Sequence, residues 1–416
     1  SSDEVTFMPD LHFRLHFRHY SGYLESTNKS QLHYWFFESQ GNPSTDPVVL
    51  WLTGGPGCSS LLAAMTEQGP IRIEDDETLA PNPSAWNLKT NFLYLESPAG
   101  VGFSYNANGQ YKTDDKQTAE LNFEALKSFF QKFPQYAKND FYITGESYGG
   151  VYVPTLAEKC LDRKFPAPFK GFAVGNGYLD QKLLGNSWLQ FVYYHGLVDT
   201  PLWEKLVEEC CHDGTKLRKC DFVGSEKKSC QKLIEKIHNN FNSAPINVYN
   251  IYAVCNQSSI RRDELTPEQV ARRFLVTNLL QLDADYVNQL KDSPPCLNYD
   301  SLQDYLNRKD VRHALHIRPQ SLSWTPCNPN IDYTNQYKSL AKVVRKLVSS
   351  GLKGLIYNGD VDTACNYLGD EWFAEELGFK TIREFEPWLV NATGQVGGFV
   401  KIFDGFAYTT IRGSGT

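Results

Sequence analysis
The chain is 416 residues long, 41% hydrophobic and rich in aromatics, with a formal net charge of −7 at pH 7. That length holds one large α/β domain with a sizeable insertion, or two domains, around a real core. The acidic balance argues against nucleic acid as a partner, and the apolar runs are too short for a transmembrane helix. The chain opens on Ser1-Ser2-Asp3-Glu4, without initiator Met or signal peptide, as a mature processed form does.

From Tyr20 to Phe37 apolar and polar residues alternate, which predicts antiparallel strands at a sheet edge. Val48-Val49-Leu50-Trp51-Leu52 is continuously apolar, as expected of a strand buried on both faces. It runs into Thr53-Gly54-Gly55-Pro56-Gly57-Cys58-Ser59-Ser60. Glycines directly after a buried strand let backbone N–H groups point into a site, as in an oxyanion hole; a tight turn is the plainer reading. Asn91 to Glu96 is the next strand, closed by Ser97-Pro98-Ala99-Gly100-Val101-Gly102. After a candidate N-cap at Thr113-Asp114-Asp115, residues Ala119, Phe123, Leu126, Phe130 and Phe133 share one face of an amphipathic helix that Pro134 ends.

The central stretch is Phe141-Tyr142-Ile143-Thr144-Gly145-Glu146-Ser147-Tyr148-Gly149-Gly150. A strand-like run enters Gly-x-Ser-x-Gly and helical sequence follows, the context of a nucleophile elbow. Glycines flank the serine because a Cβ there would collide with the neighbouring strand and helix. Gly171 to Gly177 is a further short strand. From about Gln181 to Pro295 the strand–helix alternation gives way to charged helical stretches, Leu202 to Glu209 and Lys227 to His238, which predicts an insertion covering the core. The pairs Arg261-Arg262 and Arg272-Arg273 there read as solvated helix faces or as a protease-cut loop. Alternation resumes near Val311; Gly354 to Asn358 is another buried strand, ending in Gly359-Asp360-Val361-Asp362, where open parallel sheets place their sites.

Ten cysteines lack any Cys-x-x-Cys spacing, so disulfides in a secretory or lysosomal compartment fit better than a zinc knuckle. Asn28, Asn256 and Asn391 each head an Asn-x-Ser/Thr glycosylation acceptor.

Four motifs together give the sequence a family resemblance: Trp51 to Ser60, Glu96 to Tyr105, Gly145 to Gly150 and Tyr357 to Asn366. From about Arg18 to Gly415 the chain resembles the serine carboxypeptidases. The resemblance implies an α/β-hydrolase fold: a central mostly parallel sheet flanked by helices, with an inserted helical cap. The core then spans 1–180 and 298–416, and the cap 181–297. By the same resemblance Ser147 is the nucleophile, Asp362 the acid that orients the catalytic histidine, and the N–H groups of Gly55 and Tyr148 form the oxyanion hole. Glu146 and Glu67, with Thr53 and Gly54, grip the substrate's terminal carboxylate; acids facing a carboxylate cannot all be ionised, so the grip needs low pH. The implied disulfides are Cys58–Cys327, Cys210–Cys230, Cys211–Cys220 and Cys255–Cys296, leaving Cys160 and Cys365 as thiols. No metal or cofactor is implied.

Two departures stand out. Thr53 replaces an asparagine of the family, which weakens the expected exopeptidase selectivity. None of the nine histidines follows Asp362; where the family has a Gly-x-Gly-His stretch, this chain has Gly413-Ser414-Gly415-Thr416. The expected activity is a lysosomal or secreted carboxypeptidase acting on peptides with a free C-terminus at acidic pH, nearly inactive in the chain as written. The alternatives are a non-catalytic protective partner of other lysosomal hydrolases, and an acyltransferase or esterase of the same fold. The resemblance leaves room for a homodimer.

Overall fold
The computed structural model describes residues 2–211, 216–255, 275–281, 296–328 and 330–416. The paired arginines and Asn256 lie outside the described residues. Two compact units emerge, one of Ser1–Val174, Asn298–Tyr337 and Lys346–Gly354, the other of Gly175–Leu297, Lys338–Arg345 and Leu355–Thr416.

In the first unit the longer strands are β1 (His19–Glu25), β2 (Ser30–Phe37), β3 (Val48–Leu52), β4 (Asn91–Leu95), β5 (Phe141–Ser147) and β6 (Phe169–Gly177, of which Gly175 onward falls in the second unit), ordered β1-β2-β4-β3-β5-β6. β1 and β2 are antiparallel and β1 is the edge, as the alternation predicted. β3 runs parallel to both β4 and β5, with Leu52 opposite Gly145. All five side chains of β3 are buried, which explains its unbroken apolar sequence. Helices α1 (Ser60–Thr66), α2 (Asp115–Lys132) and α3 (Gly149–Asp162) carry the chain between strands. Asp114 caps α2 by accepting from Gln117 N–H at 2.8 Å, and the predicted apolar face of α2 is buried. α2 stops at Lys132, just before Pro134, and packs on α3.

In the second unit α4 (Gln181–Tyr194), α5 (Thr200–Cys210) and α6 (Lys228–Ser243) follow β6. The middle of α4, Leu184 to Val192, is buried throughout, unlike the charged helices after it. Short helices α7 (Asp300–Asn307) and α8 (Lys309–Ala314) belong to the first unit. After α9 (Ala341–Ser349) come β7 (Lys353–Gly359), α10 (Tyr367–Glu376), β8 (Thr381–Leu389), β9 (Val396–Phe403) and β10 (Phe406–Ile411). Strand order here is β7-β10-β9-β8, with β8, β9 and β10 antiparallel in turn, and α10 packs on α4. Among the described residues no helix is long and apolar enough to cross a membrane.

Candidate active site
Ser147 ends β5 at φ +55, a left-handed conformation that costs a non-glycine residue energy and turns its side chain out of the strand. Tyr148 returns at once to helical angles and α3 begins at Gly149. A Cβ on Gly145 would collide with Leu52 O, and one on Gly149 would come within 2.8 Å of the same oxygen. Both glycines are therefore required by the close pass of β3, as the motif predicted. Ser147 is half-buried, while Tyr148 is buried.

The turn after β3 approaches this elbow from the other side. Gly54 lies against it so closely that a Cβ would strike Tyr148 N. Gly55 and Gly57 have φ of +113 and +99, values open to glycine, and Cys58 N–H closes the turn on Gly54 O at 3.1 Å. The turn and the start of α3 thus bring bare backbone together beside Ser147.

Two carboxyl groups complete this side. Glu146 is buried, and Thr53 Oγ1 donates to its Oε1 at 3.4 Å while accepting from Trp51 Nε1 at 2.8 Å. Glu67 is exposed as a residue, but its carboxyl end reaches in to a hydrogen bond with Glu146. Loss of water around that end pushes it up to about 7, against the lowering effect of the bond to Glu146.

Asp362 belongs to the second unit, lies in the loop after β7 and is fully buried. Its carboxylate accepts from Asn176 Nδ2 at 3.0 Å, Ala364 N–H at 2.8 Å, Cys365 N–H at 3.2 Å and the hydroxyl of Thr416. Burial pushes Asp362 up to about 6 even though these donors favour its charged form. Beneath it lies Asp370, also fully buried, accepting from Gly177 N–H at 2.9 Å and Asn358 Nδ2 at 2.8 Å. Burial, with the Asp362 charge adding to it, pushes Asp370 up to about 8.

The serine carboxypeptidase family profile matches residues 9–416. The chain belongs to the serine carboxypeptidase family. It is 43% identical to the lysosomal protective protein of Mus musculus over 99% of this chain and 89% of that one. Identity to the serine carboxypeptidase ctsa-4.1 of Caenorhabditis elegans is 37%, over 100% of this chain and 89% of the relative. Among solved structures, the prohormone-processing carboxypeptidase Kex1Δp of Saccharomyces cerevisiae superposes with a TM-score of 0.75 at 18% identity, covering 99% of this chain and 91% of that one. The fold is accordingly the α/β-hydrolase fold, and the protein is an enzyme by family.

As a serine carboxypeptidase the chain has all the disulfides its resemblance implied: Cys58–Cys327, Cys210–Cys230, Cys211–Cys220 and Cys255–Cys296, with Cys160 and Cys365 as buried thiols. Ser147, Gly54, Gly55, Tyr148, Thr53, Glu67 and Glu146 all fall in one unit and Asp362 in the other. Asn28 and Asn391 are exposed. His316 Nδ1 lies 2.9 Å from Ser21 O, and His195 Nδ1 lies 2.9 Å from Phe191 O.

Sequence reasoning treated Asp115 only as part of a cap. In the fold it is buried and accepts from the hydroxyls of Tyr148 (2.7 Å) and Tyr333 (2.9 Å) and from Gln336 N–H (2.5 Å). It anchors the side chain whose backbone sits at the elbow. An acid at the first position of an amphipathic helix was the only signal, and it pointed to the helix dipole instead.

Proposed function
We propose that this is a serine carboxypeptidase that releases C-terminal residues at acidic pH through an acyl-enzyme on Ser147. Ser147 Oγ attacks the scissile carbonyl carbon, and the N–H groups of Gly55 and Tyr148 receive the negative oxygen. The C–N bond breaks and the C-terminal amino acid leaves; water then cleaves the ester. Thr53, Gly54, Glu67 and Glu146 hold the terminal carboxylate. The Glu67–Glu146 pair beside the elbow carries this reading, because an esterase or acyltransferase has no use for a pair of carboxyls that share a proton. With Glu67 at about 7, the pair holds a proton to donate in acid and repels a carboxylate above neutrality. Residues 181–297 are the cap of this reading. Four disulfides fit an oxidising compartment, lysosomal or secreted, with Asn28, Asn256 and Asn391 as glycan acceptors.

Proton transfer requires an imidazole on Asp362, and the position that corresponds to it holds Thr416, whose hydroxyl cannot accept a proton near neutral pH. Removing the base of such a triad costs on the order of 10⁶ in turnover. A serine-directed phosphonate should therefore label Ser147 slowly in the native chain and at least about 10³-fold faster in Thr416→His. Labelling of the native chain at ordinary enzyme rates contradicts this account. The same threonine favours a second reading, a protective binding partner of lysosomal hydrolases; the murine relative is named a lysosomal protective protein. Co-sedimentation with such hydrolases and no gain from Thr416→His would support it.

A further inference from the structure
We infer that Glu96 is a positioning residue for the oxyanion-hole turn, acting through Ser59; the inference rests on the reading of the Gly55 N–H as an oxyanion donor. Glu96 follows β4 and is wholly buried. Its Oε1 accepts from the Ser59 hydroxyl and from Trp324 Nε1 at 2.9 Å. Its Oε2 accepts from Phe103 N–H at 2.9 Å and lies 2.9 Å from His33 Nδ1. His33 Nε2 is 2.9 Å from Ser21 Oγ, so the imidazole is held from both sides. No lysine or arginine is among these partners. A Cβ on Gly102 would overlap Glu96 Oε1, so that glycine makes room for the carboxylate.

Ser59 is where this cluster meets the turn. Its Oγ accepts from Leu61 N–H at 3.0 Å and caps α1, and its N–H donates to Pro326 O at 2.9 Å. The preceding residue is Cys58, bonded to Cys327 and closing the turn on Gly54 O. Trp324 Nε1 also reaches Ser59 Oγ at 3.1 Å. Glu96 thus joins the far end of the glycine turn to the 324–327 segment that the disulfide already ties to it. The near end is fixed separately: Thr53 N–H donates to Ser60 Oγ at 3.1 Å, and Ser60 Oγ donates to Leu95 O at 2.8 Å. Adjacent serines therefore hold opposite ends of one turn.

A buried carboxylate adds little net stability over an apolar filling of the same space. What it offers is a strong acceptor that fixes several donors at once, and an oxyanion hole depends on N–H placement to a few tenths of an ångström. The prediction is a split between ligands. A peptide aldehyde adds Ser147 O–H across its C=O, giving a hemiacetal whose oxygen faces Gly55. An N-blocked amino acid, the reaction product, is gripped at the Thr53 end and makes no covalent bond. Ser59→Ala should weaken the aldehyde at least about tenfold while the product changes less than about twofold. Ser59→Thr, which keeps the hydroxyl, should restore aldehyde binding, and Glu96→Gln should reproduce the split if Ser59→Ala folds poorly. Equal losses for both ligands that follow the melting temperature, or unchanged aldehyde binding, overturn the inference. With every variant made in the Thr416→His background, so that Ser147 can be activated, Ser147→Ala separates the two levels of argument: if it binds the aldehyde as the Thr416→His parent does, the oxyanion reading itself fails, whereas loss of binding there with no split in Ser59→Ala sinks only the role of Glu96.

Discussion

The surroundings of Ser147 and of Asp362 solve opposite electrostatic problems. Around Ser147 the backbone is bare: glycines at 54, 55, 57, 145 and 149 bring N–H groups close without side chains, and the residue itself is held at φ +55. Around Asp362 every donor is spent on a charge already present, from an asparagine, two backbone N–H groups and a hydroxyl. The first region waits for a charge that exists only during reaction; the second satisfies a carboxyl group that is in place throughout. Small residues and strain mark the first kind of site, and filled hydrogen bonds mark the second.

That contrast predicts a graded series of effects. The largest belongs to the bare region. Gly54→Ala, made in a Thr416→His background so that turnover is measurable, forces a Cβ against Tyr148 N and should cut kcat/KM by about 10²–10³ with the fold retained by circular dichroism. An undiminished rate would mean that the Gly54–Tyr148 approach has no part in catalysis.

A smaller effect tests the shared proton. Glu67 titrates near 7 when its surroundings are intact, so affinity for an N-blocked amino acid should fall as pH rises through about 7, by up to about tenfold per unit above it. Glu67→Gln should flatten that dependence in calorimetric titrations between pH 5 and 8. A slope that survives the substitution would assign the proton elsewhere.

The smallest effect concerns stability in the filled region. Asp370, at about 8 in the fold and about 4 in an unfolded chain, holds its proton longer when folded. Its contribution is therefore intact below about pH 4 and is lost progressively as pH rises through 8. Asp370 Oδ1 and Asn358 Oδ1 have no hydrogen-bond partner among the protein atoms, and an amide at 370 stays neutral at every pH. Asp370→Asn should lose less melting temperature between pH 5 and 8 than the native chain. A parallel decline in both would show that Asp370 is not the group responsible.

The two regions also differ in how far the sequence betrays them. The elbow was legible because its geometry demands glycine at fixed offsets from a serine, between strand-like and helix-like runs, and a turn of that kind has few other causes. β3 and the buried face of α2 were legible through periodicity. Asp362 was visible as a carboxylate just past a buried strand, but its role came only from family resemblance, since Asp-x-Asp after a strand is usually a solvated loop. Glu96, Asp115 and Asp370 escaped for a physical reason: they work through partners far along the chain, such as Trp324 and Tyr333, or through backbone N–H groups that carry no residue identity. The unbroken burial of Leu184 to Val192 in α4 escaped because Asn186, Ser187 and Gln190 interrupt its apolar pattern.

The most direct trial of the whole account compares two blocked dipeptides, one with a free C-terminal carboxylate and one amidated, at pH 5 with the Thr416→His chain. Release of the terminal residue from the free acid, at least about 10²-fold faster than from the amide and abolished by Ser147→Ala, is the expected result. Equal rates on both substrates, or a rate indifferent to Ser147, would contradict it.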